Sequence, residues 1–149
     1  MVPRVTAIIY GDRIVERKLL SCAKFSEDLR PAWPSVRTRA AAGFENAFAS
    51  EGPGWQPLSP DTRYRRIKDG YNDGPILTKS GKYRNSLTVN LRYKGTRDTI
   101  TFISGIEYGR YHQSGTSRMP ARKVELTIYY KRTLSKAIEE ALMAAYNGG

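Results

Sequence analysis

The chain has 149 residues, with 25 Lys and Arg against 14 Asp and Glu, and a formal net charge of +11. One cysteine excludes an intrachain disulfide, one histidine beside one cysteine is too few ligands for a zinc site, and no apolar run is long enough to span a bilayer. The length fits one domain around a single lean core, and the cationic excess implies an anionic partner, whether nucleic acid, membrane surface or acidic protein face.

The opening Met1-Val2-Pro3-Arg4 carries no signal-peptide apolar region, which points to a soluble protein made and used on the cytoplasmic side. Val5–Tyr10 is β-branched and aromatic enough for a short strand, stopped by Gly11-Asp12. The spacing of Val15, Leu19, Cys22 and Ala23 predicts a helix from Ile14 to Phe25, with Cys22 as a small apolar packing residue rather than a reactive thiol. Arg30-Pro31 opens a long core helix reaching Ser50, in which Trp33, Val36, Ala40, Phe44, Ala47 and Phe48 recur at three- and four-residue steps. Glu51-Gly52-Pro53-Gly54 breaks it, and Trp55 in the following loop reads as a plug at the core edge. Ser59-Pro60-Asp61-Thr62 offers a side-chain cap, proline at the first helical position and a carboxylate in the first turn, predicting a helix over 60–68. Residues 69–75 read as an exposed loop.

Leu87–Lys94 alternates apolar and polar without a fault, which predicts a strand with one buried face. Gly95–Asp98 turns the chain and 99–104 returns as its hairpin partner. Near the end, Leu134, Ile138, Ala141, Leu142 and Ala145 share one face of a helix over 128–146. The order is one strand, three helices, a hairpin and a helix, which predicts a single α+β domain: a small antiparallel sheet packed on a long helix and a C-terminal helix.

Two sets of side chains stand out as candidate contacts. Arg63, Arg65, Arg66, Lys68, Lys79, Lys82 and Arg84 concentrate cations in the middle of the chain, interleaved with Tyr64, Tyr71 and Tyr83, a pattern suited to phosphate contact with stacking. Ile106–Thr116, followed by Met119-Pro120-Ala121-Arg122, holds the only histidine among tyrosines, glycines and a proline, where Tyr108, Tyr111, His112, Gln113, Arg118 and Arg122 suit a shaped contact surface. His112 taken alone is better explained as a neutral ring hydrogen-bonded between a turn carbonyl and a neighbouring strand, with contact to an adjacent subunit or ring as the functional alternative. Ser104 and Ser114 are the nearby hydroxyls, but no acid lies at a spacing that would complete a nucleophilic constellation, so no catalytic residue, metal or cofactor is expected.

Three blocks carry a resemblance. Gly54-Trp55-Gln56-Pro57-Leu58-Ser59, Leu77-Thr78-Lys79-Ser80-Gly81-Lys82-Tyr83-Arg84-Asn85-Ser86 and Tyr108-Gly109-Arg110-Tyr111-His112-Gln113-Ser114-Gly115 leading to Pro120-Ala121-Arg122 resemble, in the same order, elements of the tail-completion or virion-morphogenesis family of tailed bacteriophages of the phage Mu type. Two departures from that pattern are Lys123-Val124 in place of Pro-Phe, and Tyr83 in place of an aliphatic residue. The resemblance implies an α+β structural subunit of the head–tail connection, at the virion neck after assembly in the host cytoplasm, with no enzymatic activity and no membrane contact. It implies a homo-oligomeric ring, hexameric or dodecameric, between head-connector and tail-tube or tail-terminator proteins and close to packaged DNA. A tail-terminator ring subunit and a stand-alone, sequence-independent nucleic-acid-binding module are the alternative readings.

Overall fold

The computed structural model describes residues 13–148. The strand expected over 5–10 lies outside them. The architecture is α+β: α1 Arg13–Glu27, a 3-10 turn Arg30–Ala32, α2 Trp33–Ala49, α3 Pro60–Lys68, α4 Lys82–Leu87, β1 Arg92–Gly95, β2 Ile100–Ile103, α5 Gly109–Ser114 and α6 Ile128–Gly148. Both α1 and α2 pack on α6, while α4 packs on α2.

Helix α2 is the spine, because its apolar stripe is the most continuous in the chain. Trp33, Val36, Ala40, Phe44, Ala47 and Phe48 are all buried, at the spacing that places them on one side of a 3.6-residue helix. Gly43 lies on the same stripe, and a β-carbon there would come within 2.5 Å of Leu126 and 2.9 Å of Tyr130, so the missing side chain allows the approach of α6. The helix ends where Glu51 and Gly52 take positive φ and the Gly52 amide donates back to the Ala47 carbonyl at 2.8 Å. Trp55 then folds back as the expected plug, edge-on to Phe48 and donating its indole N–H to the Lys123 carbonyl at 2.9 Å.

The core divides into two clusters along α2. At its N-terminal end Ala32, Trp33 and Val36 meet Ala137 of α6. Toward its C-terminal end Ala40, Phe44, Ala47 and Phe48 meet Tyr83, Leu87, Leu91 and Val124. Helix α1 contributes no fully buried residue, and Cys22 is only half-buried, its sulfur 4.0 Å from the Leu142 carbonyl of α6.

The hairpin is shorter than its alternating pattern predicts. Leu87 ends helix α4, Thr88 is buried with its hydroxyl donating to the Arg84 carbonyl at 3.0 Å, and Val89 is 75% exposed. Asn90 donates its amide to the Asn85 carbonyl, which closes a turn, and only from Arg92 does the backbone become strand. The alternation of Leu87, Val89 and Leu91 therefore belongs to a helix end and a turn, with two of the three side chains reaching the core by different routes. Antiparallel pairing runs from Arg92 opposite Ile103 to Gly95 opposite Ile100. Trp33 seats the hairpin: its indole N–H donates to the Thr96 carbonyl at 2.8 Å, and a β-carbon on Gly95 would fall 2.4 Å from its ring.

Two short helices had no clear counterpart in the sequence pattern. Helix α4 starts at Gly81, whose φ of 69° is the left-handed conformation that glycine adopts without steric cost. Helix α5 occupies what the Gly- and Pro-rich composition suggests is a loop, and it stops at Gly115. Helix α3 forms as expected, with the Ser59 hydroxyl accepting from the Thr62 amide and Pro60 in the first turn.

Candidate functional site: a cationic cleft

Three chain segments far apart in sequence converge on one cleft of about 740 Å³. The first is Gln56–Ser59 with α3 behind it, the second runs from Leu77 to Lys82, and the third supplies Tyr108, His112 and the stretch from Arg118 to Arg122. Each is the core of one of the three motif blocks.

The first and third segments are joined by Arg122. Its side chain is 6% exposed; Nε donates to the Gln56 carbonyl at 3.0 Å and Nη2 to the Pro57 carbonyl at 3.3 Å. The Arg122 amide donates to the His112 carbonyl at 2.7 Å, and Thr116 and Met119 bond to each other across the intervening turn. Arg66, also 6% exposed, plays the matching part from α3, with Nη1 donating to the Gly74 and Pro75 carbonyls at 2.5 and 3.2 Å. Both guanidiniums thus spend donors on bending loops. Both are also held below the usual arginine range by burial, Arg122 further by the charge of Arg66.

The wall carrying His112 is built on Tyr83. This tyrosine, 4% exposed, packs edge-on against Phe48 with ring centroids 5.8 Å apart, and lies 5.5 Å from the His112 ring and 6.2 Å from the Tyr108 ring. Its hydroxyl accepts from Gln113 Nε2 at 3.2 Å. A β-carbon on Gly109 would sit 2.6 Å from the Tyr83 ring, so glycine lets α5 lie flat on it. Among the described residues neither expected hydrogen bond to the His112 ring is made: Nδ1 is buried without a partner, with the Tyr83 and Tyr108 ring centroids 5.5 and 5.9 Å away. Burial, with the positive charge of Arg122 nearby, lowers the His112 pKa and favours the neutral ring.

The candidate contact residues therefore divide. Tyr108, His112, Arg118 and Arg122 line the cleft, Gln113 turns to the Tyr83 hydroxyl, and Tyr111 points away, 43% exposed, with the Arg110 guanidinium over its ring at 4.8 Å. Of the central cations, Arg66, Lys79 and Lys82 line the cleft, whereas Arg63, Arg65, Lys68 and Arg84 do not. Many are already paired: Arg63 with Asp73 at 2.6 Å, Arg65 with Asp61 at 2.8 Å, Lys79 with Asp69 at 2.9 Å, and Arg84 with Glu45. Tyr83 is core and is withdrawn from any stacking role, while Tyr64 and Tyr71 remain exposed. The motif blocks pointed to Leu77 and to the Gln56–Ser59 loop, but no residue-level signal marked Leu77, Met119 or Pro120 as cleft walls.

Among the described residues no group of three or more His, Cys, Asp and Glu side chains is placed to hold a metal ion, and no helix is long and apolar enough to cross a membrane. The arrangement defines an α+β protein with a recess lined by cationic and apolar side chains. The phage virion morphogenesis family matches residues 34–143, most of the chain and all three cleft segments, and the protein belongs to that family. It is accordingly a virion-associated protein with a role in phage structure or assembly. No curated protein and no solved structure matches the chain.

Proposed function

We propose that this protein is a subunit of the head–tail connection of a tailed phage, a tail-completion or neck protein that joins tail to DNA-filled head by binding neighbours rather than by catalysis. The observation that carries this reading is the convergence of three blocks, separated by up to sixty-eight positions between Gly54 and Arg122, on a single recess in a member of a virion morphogenesis family. A recess built from rigidly bonded loops is suited to recognition, since ordering costs have been met before the partner arrives.

In this reading the subunits form a closed ring, hexameric or dodecameric, between head-connector and tail-tube or tail-terminator proteins. A ring uses different faces of one subunit against the next, and rotational symmetry repeats each uncompensated cation around the lumen. Of the cations between residues 63 and 84, Lys68 and Lys82 have no side-chain partner among the described residues and are free to face packaged DNA, while exposed ion pairs such as Arg65–Asp61 are weak enough for phosphates to compete. Such contact guides DNA without reading its sequence.

Electron microscopy of particles made without the protein tests the reading. Separate filled heads and complete tails are expected. Fully joined, infectious particles would overturn it, and tails of unregulated length would assign the chain to tail termination instead.

A further inference from the structure

The chemistry of the cleft is more specific than its charge. Among the described residues no Asp or Glu lines it, while Arg66, Lys79, Lys82, Arg118 and Arg122 do. Arg66 and Arg122 use only some of their donors on loop carbonyls; Nε and Nη2 of Arg66 and Nη1 of Arg122 make no hydrogen bond and are not enclosed. The same holds for Nε2 of His112, the nitrogen opposite the buried Nδ1. Arg66, His112 and Arg122 all line the recess with side-chain nitrogens left uncommitted, and the two guanidiniums are close enough to repel each other. Asp73 partly offsets Arg66, but it is itself engaged by Arg63. Around these donors the walls are apolar: Pro57, Leu58, Leu77, Met119 and Pro120.

We infer that the cleft is a docking site for an acidic peptide segment of another virion protein, one that places a carboxylate against Arg66, Arg122 and His112 and an apolar side chain between Leu58, Leu77 and Met119. This deepens the proposed function and rests on it. Planar guanidinium forks match carboxylates in pairs of parallel hydrogen bonds, and the apolar walls give a peptide side chain a place that a phosphate backbone has no group to fill. A second copy of this chain is a poor occupant. It carries a formal charge of +11, its acids never run longer than the pairs Glu27-Asp28 and Glu139-Glu140, and Asp28 and Glu140 are bonded to Arg30 and Arg39.

The test is fluorescence anisotropy of the full chain with a labelled peptide of about ten residues alternating Glu and Leu, compared with polyglutamate, with the Lys-for-Glu counterpart, and with a DNA duplex. Lys82→Glu and Arg118→Glu change exposed rim side chains that make no side-chain hydrogen bond or ion pair, so the fold is retained. Lys131→Glu and Arg132→Glu on α6 apply the same charge change away from the cleft. Saturable binding of the Glu–Leu peptide, weakened roughly tenfold or more by the rim variants and less than about twofold by the α6 variants, is expected. No saturable binding, equal losses in both variant pairs, equal affinity for polyglutamate, or tighter binding of the duplex would each overturn the inference. Such a result alongside separated heads and tails in particles lacking the protein would remove the peptide site and leave the joining role standing.

Discussion

Replacing Tyr83 tests whether the core fixes the cleft wall. Its ring contacts Phe48 on one side and Tyr108 and His112 on the other, and its hydroxyl accepts a single, rather long hydrogen bond of 3.2 Å from Gln113. Tyr83→Phe keeps every ring contact and removes only that bond, whose donor also lies 3.5 Å from the Val124 carbonyl, so a loss of about 1 kcal/mol is expected. Tyr83→Ala instead empties the centre of a buried cluster, and buried aromatic-to-alanine changes cost about 3–5 kcal/mol. At this chain length that corresponds to a fall in Tm of about 6–20 °C, a large fraction of the total of about 5–15 kcal/mol that holds a typical domain together. Urea unfolding measures both values, and the NMR signals of the single histidine report the wall directly. They should move strongly in Tyr83→Ala, which loses a ring 5.5 Å away, and little in Tyr83→Phe. Equal destabilisation by the two variants, or an alanine cost below about 1 kcal/mol, would refute the argument that ring packing supports the cleft.

Gly115 has φ 73° and ψ 176°, a conformation nearly restricted to glycine, and a β-carbon there would meet the Ala121 amide nitrogen at 2.8 Å; Gly115→Ala should cost at least about 1–3 kcal/mol by thermal unfolding. The lowered pKa of His112 makes the folded state bind its proton less readily than the unfolded chain, so its contribution is complete above the ordinary value of 6.5 and is lost as pH falls below it. Stability should therefore decline as pH falls below the ordinary 6.5, and a His112→Gln variant should show a smaller decline in urea titrations. Asp28 is pulled down to about 2 by its hydrogen bonds to Arg30, so carboxyl NMR should find it titrating well below the ordinary 3.8, and Arg30→Ala should return it toward that value. Its stabilising contribution is present above 3.8 and lost as pH falls through about 2.

Long, strongly periodic segments were legible because their signal is repeated many times. The stripe from Trp33 to Phe48, the cap at Ser59 and the face of α6 each rest on several agreeing residues. The segment from Leu87 to Leu91 shows the opposite case, since three apolar residues at alternate positions fit a strand, yet Leu87 and Leu91 reach the core across a turn that leaves Val89 outside. For the candidate site, the three blocks converge on one cleft, and of the side chains singled out in the sequence Arg66, Lys79, Lys82, Tyr108, His112, Arg118 and Arg122 line it. The sequence could not divide the arginines, because Arg65 and Arg66 are adjacent and chemically identical, and only their angular positions on α3 send one to solvent and Asp61 and the other into loop carbonyls.

The sequence by itself determined the class of fold, the main helices, the cationic middle and the three blocks that mark the family, because each is a local or compositional property readable along the chain. Only the tertiary structure decided that those blocks share one recess, that Tyr83 is its foundation, and that Arg66 and Arg122 are bent inward with donors to spare. Those outcomes depend on contacts between residues tens of positions apart, and such contacts are set by how α2, α5 and the loop after Trp55 pack together, not by any pattern within one of them.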